Sequence, residues 1–205
     1  MRGACACPHE SSTVTSVESA LRRAVADLNA LKTRWALIGG LAVSARTIPR
    51  FTKDLDFAVA VADDGEAEGV VHRLRSRDYA PVEILEQDYV KRLSGVRMAH
   101  GGSDVVVDLL FASSGIENEV VAKADRLEVL PRLTIPVATT PHLIALKVLA
   151  GRSQDLTDLG YLIPSASPAE LDAAREAVKL IQARGFNRGQ DVVADLETLI
   201  AEAKT

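Results

Sequence analysis

Three aspartates and a pair of glycines are the residues of this chain whose types and spacing could do chemistry. Asp54 and Asp56 stand at i, i+2 in Asp54-Leu55-Asp56-Phe57, at the start of an apolar run to Val61 that reads as a strand. Alternation along a strand puts both carboxylates on one face, where they repel each other unless a cation lies between them. Mg²⁺ is such a cation, commonly held by one or two carboxylates together with substrate phosphate oxygens. Ahead of Asp54, with thirteen residues intervening, the apolar run Trp35 to Ile38 ends in Gly39-Gly40. Without side chains, these glycines let backbone N–H groups and the start of the next helix come close to a phosphate. A third acid, Asp108, lies in the β-branched and apolar run Asp104 to Phe111, which could pair with the first acid strand. Three strand carboxylates suit a two-metal site for phosphoryl or nucleotidyl transfer from a metal-bound nucleoside triphosphate.

Glycine pair, gap, Asp-x-Asp and later strand aspartate together resemble the nucleotidyltransferase superfamily typified by polymerase beta. Arg50-Phe51-Thr52-Lys53-Asp54-Leu55-Asp56 is similar to the Arg-x-Thr-x-Asp-x-Asp segment of AbiEii/AbiGii-type nucleotidyltransferases, known chiefly as toxins of bacterial toxin–antitoxin and phage-defence systems. Pro141 to Lys147 resembles that family's lysine helix, and Arg152 to Leu159 its Asp-x-x-Asp segment; the likeness spans Trp35 to Ile163, with Glu117 inside it. The resemblance implies roles for these residues. Gly39, Gly40, Arg50, Thr52 and Lys147 would bind the nucleotide, Asp54, Asp56 and Asp108 would hold Mg²⁺ or Mn²⁺, and Asp108 would also orient or deprotonate an acceptor hydroxyl. Asp155 and Asp158 share a helix face, where a solvated surface or an ion pair with Arg152 competes with a catalytic role; Asp158 is the favoured catalytic residue of the two. The implied acceptor is RNA, with the 3′ end of tRNA foremost, and the implied partner is a cognate antitoxin. The same site would serve a small-molecule, antibiotic-type nucleotidyltransferase or a nucleotide-binding module without catalysis, although the latter has less need of Asp108.

The elements that would position these residues alternate. Thr15-Ser16-Val17-Glu18 has the form of a capping box leading into a helix to about Lys32. Strands are expected over Trp35–Ile38, Asp54–Val61, Pro81–Leu85, Asp104–Ala112 and, as a late edge strand, Leu133–Val137, with helices over Leu41–Arg46 and Glu66–Arg77. From Pro141 the chain reads as helical, broken by Pro164, reopened by Ser167-Pro168-Ala169-Glu170 until about Gly185, and closed by a helix over Arg188–Ala203. The fold class is therefore α/β (α+β): a mixed sheet with flanking helices, then an α-helical C-terminal part. The expected division is a tail over 1–13, a core over 14–139 and a helical region over 140–205.

A chain of 205 residues with 47% hydrophobic content can bury a substantial core. A net charge of −4 excludes a globally basic nucleic-acid binder, leaving local patches such as His72-Arg73-Leu74-Arg75-Ser76-Arg77 and Lys91-Arg92 with Arg97 for RNA. Cys5 and Cys7 are too close for an unstrained disulfide, and with His9 alone they make no convincing metal site. The opening residues lack a signal peptide's long apolar stretch, and no run reaches membrane-spanning length. A cytoplasmic protein without membrane contact is expected.

Overall fold

The computed structural model describes residues 9–49, 52–87, 90–101 and 103–203, without the side chains of 9–16 and 87. A seven-stranded mixed sheet carries eight helices among these residues. In chain order the elements are α1 (His9–Ala30), β1 (Arg34–Ile38), α2 (Gly39–Arg46), β2 (Leu55–Ala60), α3 (Asp64–Arg75), β3 (Tyr79–Gln87), β4 (Arg92–His100) and β5 (Val106–Leu110). They continue as α4 (Glu117–Ala122), β6 (Asp125–Leu130), β7 (Leu133–Val137), α5 (Thr140–Ala150), α6 (Ser153–Ser165), α7 (Pro168–Ala183) and α8 (Val192–Glu202). Across the sheet the order is β3-β4-β5-β2-β1-β7-β6. The two acid strands, β2 and β5, lie side by side as the sequence suggested, and the structure shows them to be parallel and central.

Register decides what the sheet presents. Glu83 lies opposite Arg97, Arg97 opposite Asp108, Asp108 opposite Asp56 and Asp56 opposite Ile38, so a single transverse row of charged residues crosses β3, β4, β5 and β2 and ends beside Gly39. Paired residues project to the same face. The opposite face is apolar: Phe57 pairs with Leu109, and Trp35 packs edge-on against Phe57 with ring centroids 5.3 Å apart. Trp35 donates its indole N–H to Asn29 of α1, which places α1 on that apolar face, away from the carboxylates. One hydrophobic cluster runs from Leu21 and Leu28 of α1 through Leu37, Phe57 and Leu109 to Leu143, Leu159, Ile181 and Leu196 of the C-terminal helices. No helix among the described residues is long and apolar enough to cross a membrane.

Several boundaries differ from the sequence expectations. Helix α1 begins at His9, so Thr15 falls inside it, and the Glu18 carboxylate is taken by Arg22 at 2.9 Å. Strand β4 was not expected, because Arg92-Leu93-Ser94-Gly95-Val96-Arg97 shows no clean alternation; its Gly95 lets the Leu109 carbonyl approach, where a Cβ would stand 2.7 Å from it. Helix α4 and strand β6 were also missed. Strand β7 is not an edge strand: it lies between β1 and β6, and β6 returns on it through Pro131-Arg132, with Arg132 at φ 64°. The last helix starts at Val192, with the Asp191 carboxylate accepting the Ala194 N–H, so Arg188 lies in the loop before it. Pro164 sits in the last turn of α6, which ends at Ser165, and Ser167 and Glu170 form the reciprocal cap read from the sequence. Arg50, Cys5 and Cys7 lie outside the described residues.

The turn between α5 and α6 sets the geometry of the site. Gly151 adopts φ 61°, and its N–H closes on the Lys147 carbonyl, so that α6 folds back with its acids facing α5. A Cβ at Gly151 would make only ordinary contact, 3.8 Å from the Val148 carbonyl, so the cost of a side chain there is conformational. Gly151→Ala is therefore expected to lower unfolding stability by about 1–2 kcal/mol, read from urea denaturation; an unchanged midpoint would contradict it.

Candidate active site

A cleft of about 250 Å³ opens over the charged face of the sheet. Gly39, Asp56, Asp108, Arg97, Lys147, Arg152, Asp155, Ser113 and Arg188 line it together with leucines of β3, β5 and α5. Two larger grooves, of about 630 and 940 Å³, lie elsewhere and contain none of the three sequence-defined acids.

Gly39 is both the first residue of α2 and the floor of the cleft. Its φ of 66° disfavours any L side chain, and a Cβ there would stand 2.0 Å from the Asp56 carboxylate. The glycine thus makes room for an acid as well as letting the helix start tightly after β1. Helix α2 has no side-chain cap at its N-terminus and no acid in its first turn, which leaves its leading N–H groups for another acceptor. Its far end is fixed by Arg46, which donates to the Val137 carbonyl at 3.1 Å and to Asp125 at 2.8 Å. Gly40 is buried within α2 and does not line the cleft.

Asp56 feels the cost of this arrangement. Burial, and then the nearby charges of Asp108 and Asp54, push its carboxyl up to about 6, against the opposing pull of Lys147 and Arg152. Asp108 is held instead by Arg97 through a two-pronged pair, Nε to Oδ1 at 2.9 Å and Nη2 to Oδ2 at 2.7 Å. Asp54 is exposed, one residue ahead of β2, and Thr52 donates its hydroxyl to the Asp54 carbonyl at 3.5 Å. Neither Thr52 nor Asp54 lines the cleft. Among the described residues, no three His, Cys, Asp or Glu side chains converge as a metal cluster. Hard carboxylate oxygens and the raised Asp56 carboxyl nevertheless fit a divalent cation, because positive charge between Asp54, Asp56 and Asp108 would relieve their mutual repulsion.

Lys147 is buried, and its ammonium is held by two buried carboxylates, Asp155 at 2.6 Å and Asp158 at 2.8 Å. The neighbouring Arg152 adds a 2.7 Å bond to Asp155 from its more exposed position. Burial opposes the charge on Asp155, but the bonds from Arg152 and Lys147 outweigh it and hold its carboxyl below the ordinary range. The solvated-surface reading of the two helix acids is thereby excluded. Asp155 borders the cleft, whereas Asp158 lies behind Lys147 and does not. Glu117 is buried at the start of α4, where its Oε1 accepts the N–H groups of Ser113 and Ser114 and the Ser114 hydroxyl and so ties the preceding turn to the helix.

Arg97, Arg152 and Arg188 were not singled out as cleft residues by the sequence, although Arg97 had been grouped with Lys91-Arg92. Strand pairing sends Arg97 to Asp108, while His72, Arg75, Lys91 and Arg92 share the groove of about 630 Å³ with Asp64, Glu68 and Glu86. Arg77 is tied to Asp27 at 2.8 Å.

The family model of the AbiEii nucleotidyl transferase toxin, described as belonging to type IV toxin–antitoxin systems, matches residues 20–204. The chain belongs to this family of nucleotidyltransferases. An antigenic nucleotidyltransferase-like protein from Paracoccidioides brasiliensis is 17% identical over 90% of this chain and 94% of its own, with a TM-score of 0.51. The antibiotic-resistance factor ANT(2″)-Ia is 17% identical over 93% of this chain and 92% of its own, with a TM-score of 0.47. At 17% identity the likeness to the Paracoccidioides protein concerns the fold alone. No curated protein sequence matches the chain. As a member of this family the chain is an enzyme, a nucleotidyltransferase.

Two outcomes follow from the electrostatics. Asp56→Asn should stabilise the ligand-free protein by about 1–3 kcal/mol at pH 8, because a carboxyl whose folded pKa is raised above its unfolded value destabilises the fold when ionised. The gain should shrink as pH falls through 6 and vanish below about 4, where the wild-type carboxyl is protonated in both states; a gain independent of pH in thermal or urea unfolding would refute this. Lys147→Met leaves two buried aspartates without their ammonium and should cost about 3–5 kcal/mol. Adding Asp155→Asn and Asp158→Asn should recover part of that loss, measured by the same unfolding experiments.

Proposed function

We propose that the chain transfers a nucleoside monophosphate from an NTP to a hydroxyl of RNA, with the 3′ end of tRNA as the foremost acceptor, as the toxin partner of a cognate antitoxin. The observation that carries the catalytic half is the register of Asp56 and Asp108 on adjacent parallel strands beside Gly39 and the uncapped start of α2. Family membership supports the toxin and antitoxin half, since the family is described as a toxin of type IV systems.

Asp54, Asp56 and Asp108 would hold Mg²⁺ or Mn²⁺, which when bound activates the attacking oxygen and steadies the leaving one. The chain's own residues account for the remainder. The leading N–H groups of α2 receive phosphate oxygens, with Gly39 permitting the close approach and Arg50 and Lys147 adding positive charge. Arg152 spans Asp155 and solvent at the cleft mouth, where it can follow a phosphate without leaving its carboxylate. Asp108, once its pair with Arg97 opens, orients the acceptor hydroxyl and accepts its proton. The acceptor oxygen bonds to the α-phosphorus as the bond to pyrophosphate breaks. Lys147 draws its position from Asp155 and Asp158, so we assign Asp158 to positioning Lys147 rather than to contact with substrate.

Incubation with each α-labelled NTP, Mg²⁺ and total RNA tests this. Label should enter RNA with release of pyrophosphate, and Asp54→Ala or Asp56→Ala should reduce transfer by about a thousandfold or more while the protein stays folded. RNA binding should weaken steeply with salt, as several phosphate contacts require. Undiminished transfer by either variant would remove the assignment of the acids. Label in small molecules alone, across all four NTPs, would establish the antibiotic-type reaction instead.

A further inference from the structure

Among the described residues the cleft holds four cationic side chains, and three of them are already matched by acids. Arg97 is bound to Asp108, Arg152 to Asp155, and Lys147 to Asp155 and Asp158. Arg188 is different. It lines the same cleft, yet no described carboxylate lies within bonding distance of its guanidinium; Nη2 donates only to Ser113, to the carbonyl at 3.2 Å and to the hydroxyl at 3.0 Å. A partly buried guanidinium without a counter-ion is costly, since charge removed from water needs an acid or an anion to offset it. Burial accordingly pulls its pKa down, with Glu117 opposing and Arg152 reinforcing the effect. Glu117 does not serve as the missing partner. Its Oε1 is spent on the two serine N–H groups and a hydroxyl, and burial raises its own carboxyl, which weakens its charge.

The backbone around Arg188 is built to hold it there. Arg188 has φ 54°, a left-handed conformation that is uncommon for a residue with a side chain and that Lys32, Lys91 and Arg132 also adopt in this chain. The loop before it is clamped to the β5–α4 turn: Arg184 bonds the Gly115 carbonyl and, at 2.6 Å, Glu119, while the Phe186 ring fills the space over Gly115, which has φ 74°. An arginine with no carboxylate partner among the described residues, held by its loop at the cleft, is a configuration with a use for an anion.

We infer that Arg188 is a triphosphate-binding residue, aimed from the α7–α8 loop at the β- and γ-phosphates of the NTP, with Ser113 as its positioning residue. This rests on the nucleotidyl-transfer reading and adds to it a discriminator for triphosphate over monophosphate. The paired cations mainly balance their own acids, so Arg188 adds positive charge that a nucleoside monophosphate would not engage.

Calorimetric titration of wild-type protein, Arg188→Met and Arg188→Lys with each NTP and its matching NMP, in Mg²⁺ buffer, tests the assignment. Arg188→Met should lose about 10- to 100-fold in NTP affinity, as expected for a charge-assisted contact, with about threefold or less change for the NMP. Arg188→Lys should recover part of the NTP affinity. Thermal unfolding without nucleotide should leave Arg188→Met as stable as wild type or more so, which a purely structural arginine would not do. Equal loss for NTP and NMP, unchanged NTP affinity, or lost stability matching the lost affinity would each overturn the inference. In those cases wild-type NTP binding stands and so does the nucleotidyl-transfer reading. Wild-type protein that binds none of the four NTPs would overturn both.

Discussion

Everything in the cleft depends on two carboxylates, Asp56 and Asp108, set side by side on parallel strands at the centre of the sheet. Like charges in that relation are unfavourable, and a core that wanted only stability would place apolar residues there, as the next pair, Phe57 and Leu109, does on the other face. The surrounding charges are arranged to make the juxtaposition tolerable. Arg97 approaches Asp108 from β4, Lys147 and Arg152 act on Asp56 from the helical side, and Gly39 withholds a side chain so that the Asp56 carboxylate fits. The raised carboxyl of Asp56 measures what is left over, and a site that keeps such tension is suited to receive a cation.

The helical C-terminal part is as much a piece of the site as the sheet. Its contribution is not a loose cover, because the Lys147, Asp155 and Asp158 group is buried where α5 turns back into α6 at Gly151. Buried ion groups add little net stability over apolar packing, since desolvation offsets their attraction. Their value here is geometric: two carboxylates fix an ammonium at the cleft wall, and Arg152 extends the same network to solvent. The α7–α8 loop then adds Arg188, anchored on Ser113 beyond the end of β5. Sheet, helix pair and loop therefore each contribute charge to one small volume, and the shared apolar cluster beneath them keeps the contributions in register.

Local sequence was enough for the parts of the site that are set by short-range rules. A glycine pair after an apolar run and Ser167 with Glu170 as a helix cap follow from the geometry of single elements, and the structure contains both; of the i, i+2 acid pair only Asp56 lies in β2, because the strand begins at Leu55 and leaves Asp54 exposed ahead of it. The glycine pair is nonetheless part of α2 rather than a loop ahead of it, and Gly39 faces Asp56 whereas Gly40 is buried. Strands β4 and β6 were illegible because their polar residues break the alternation; β4 is stabilised by pairing on both sides, with β3 and β5, which no window of the chain encodes.

By itself the sequence determined the fold class and the likeness to AbiEii-type nucleotidyltransferases, since these rest on residue type and spacing along the chain. Only tertiary structure decided which cation meets which acid. Arg97 reaches Asp108 because β4 pairs with β5, Lys147 is enclosed because α6 folds back on α5, and Arg188 comes to the cleft from a loop 75 residues beyond its Ser113 anchor. Charge pairing acts through space over a few ångströms and leaves no periodic trace along the chain, so the electrostatics of the site became legible only when the fold brought its charges together.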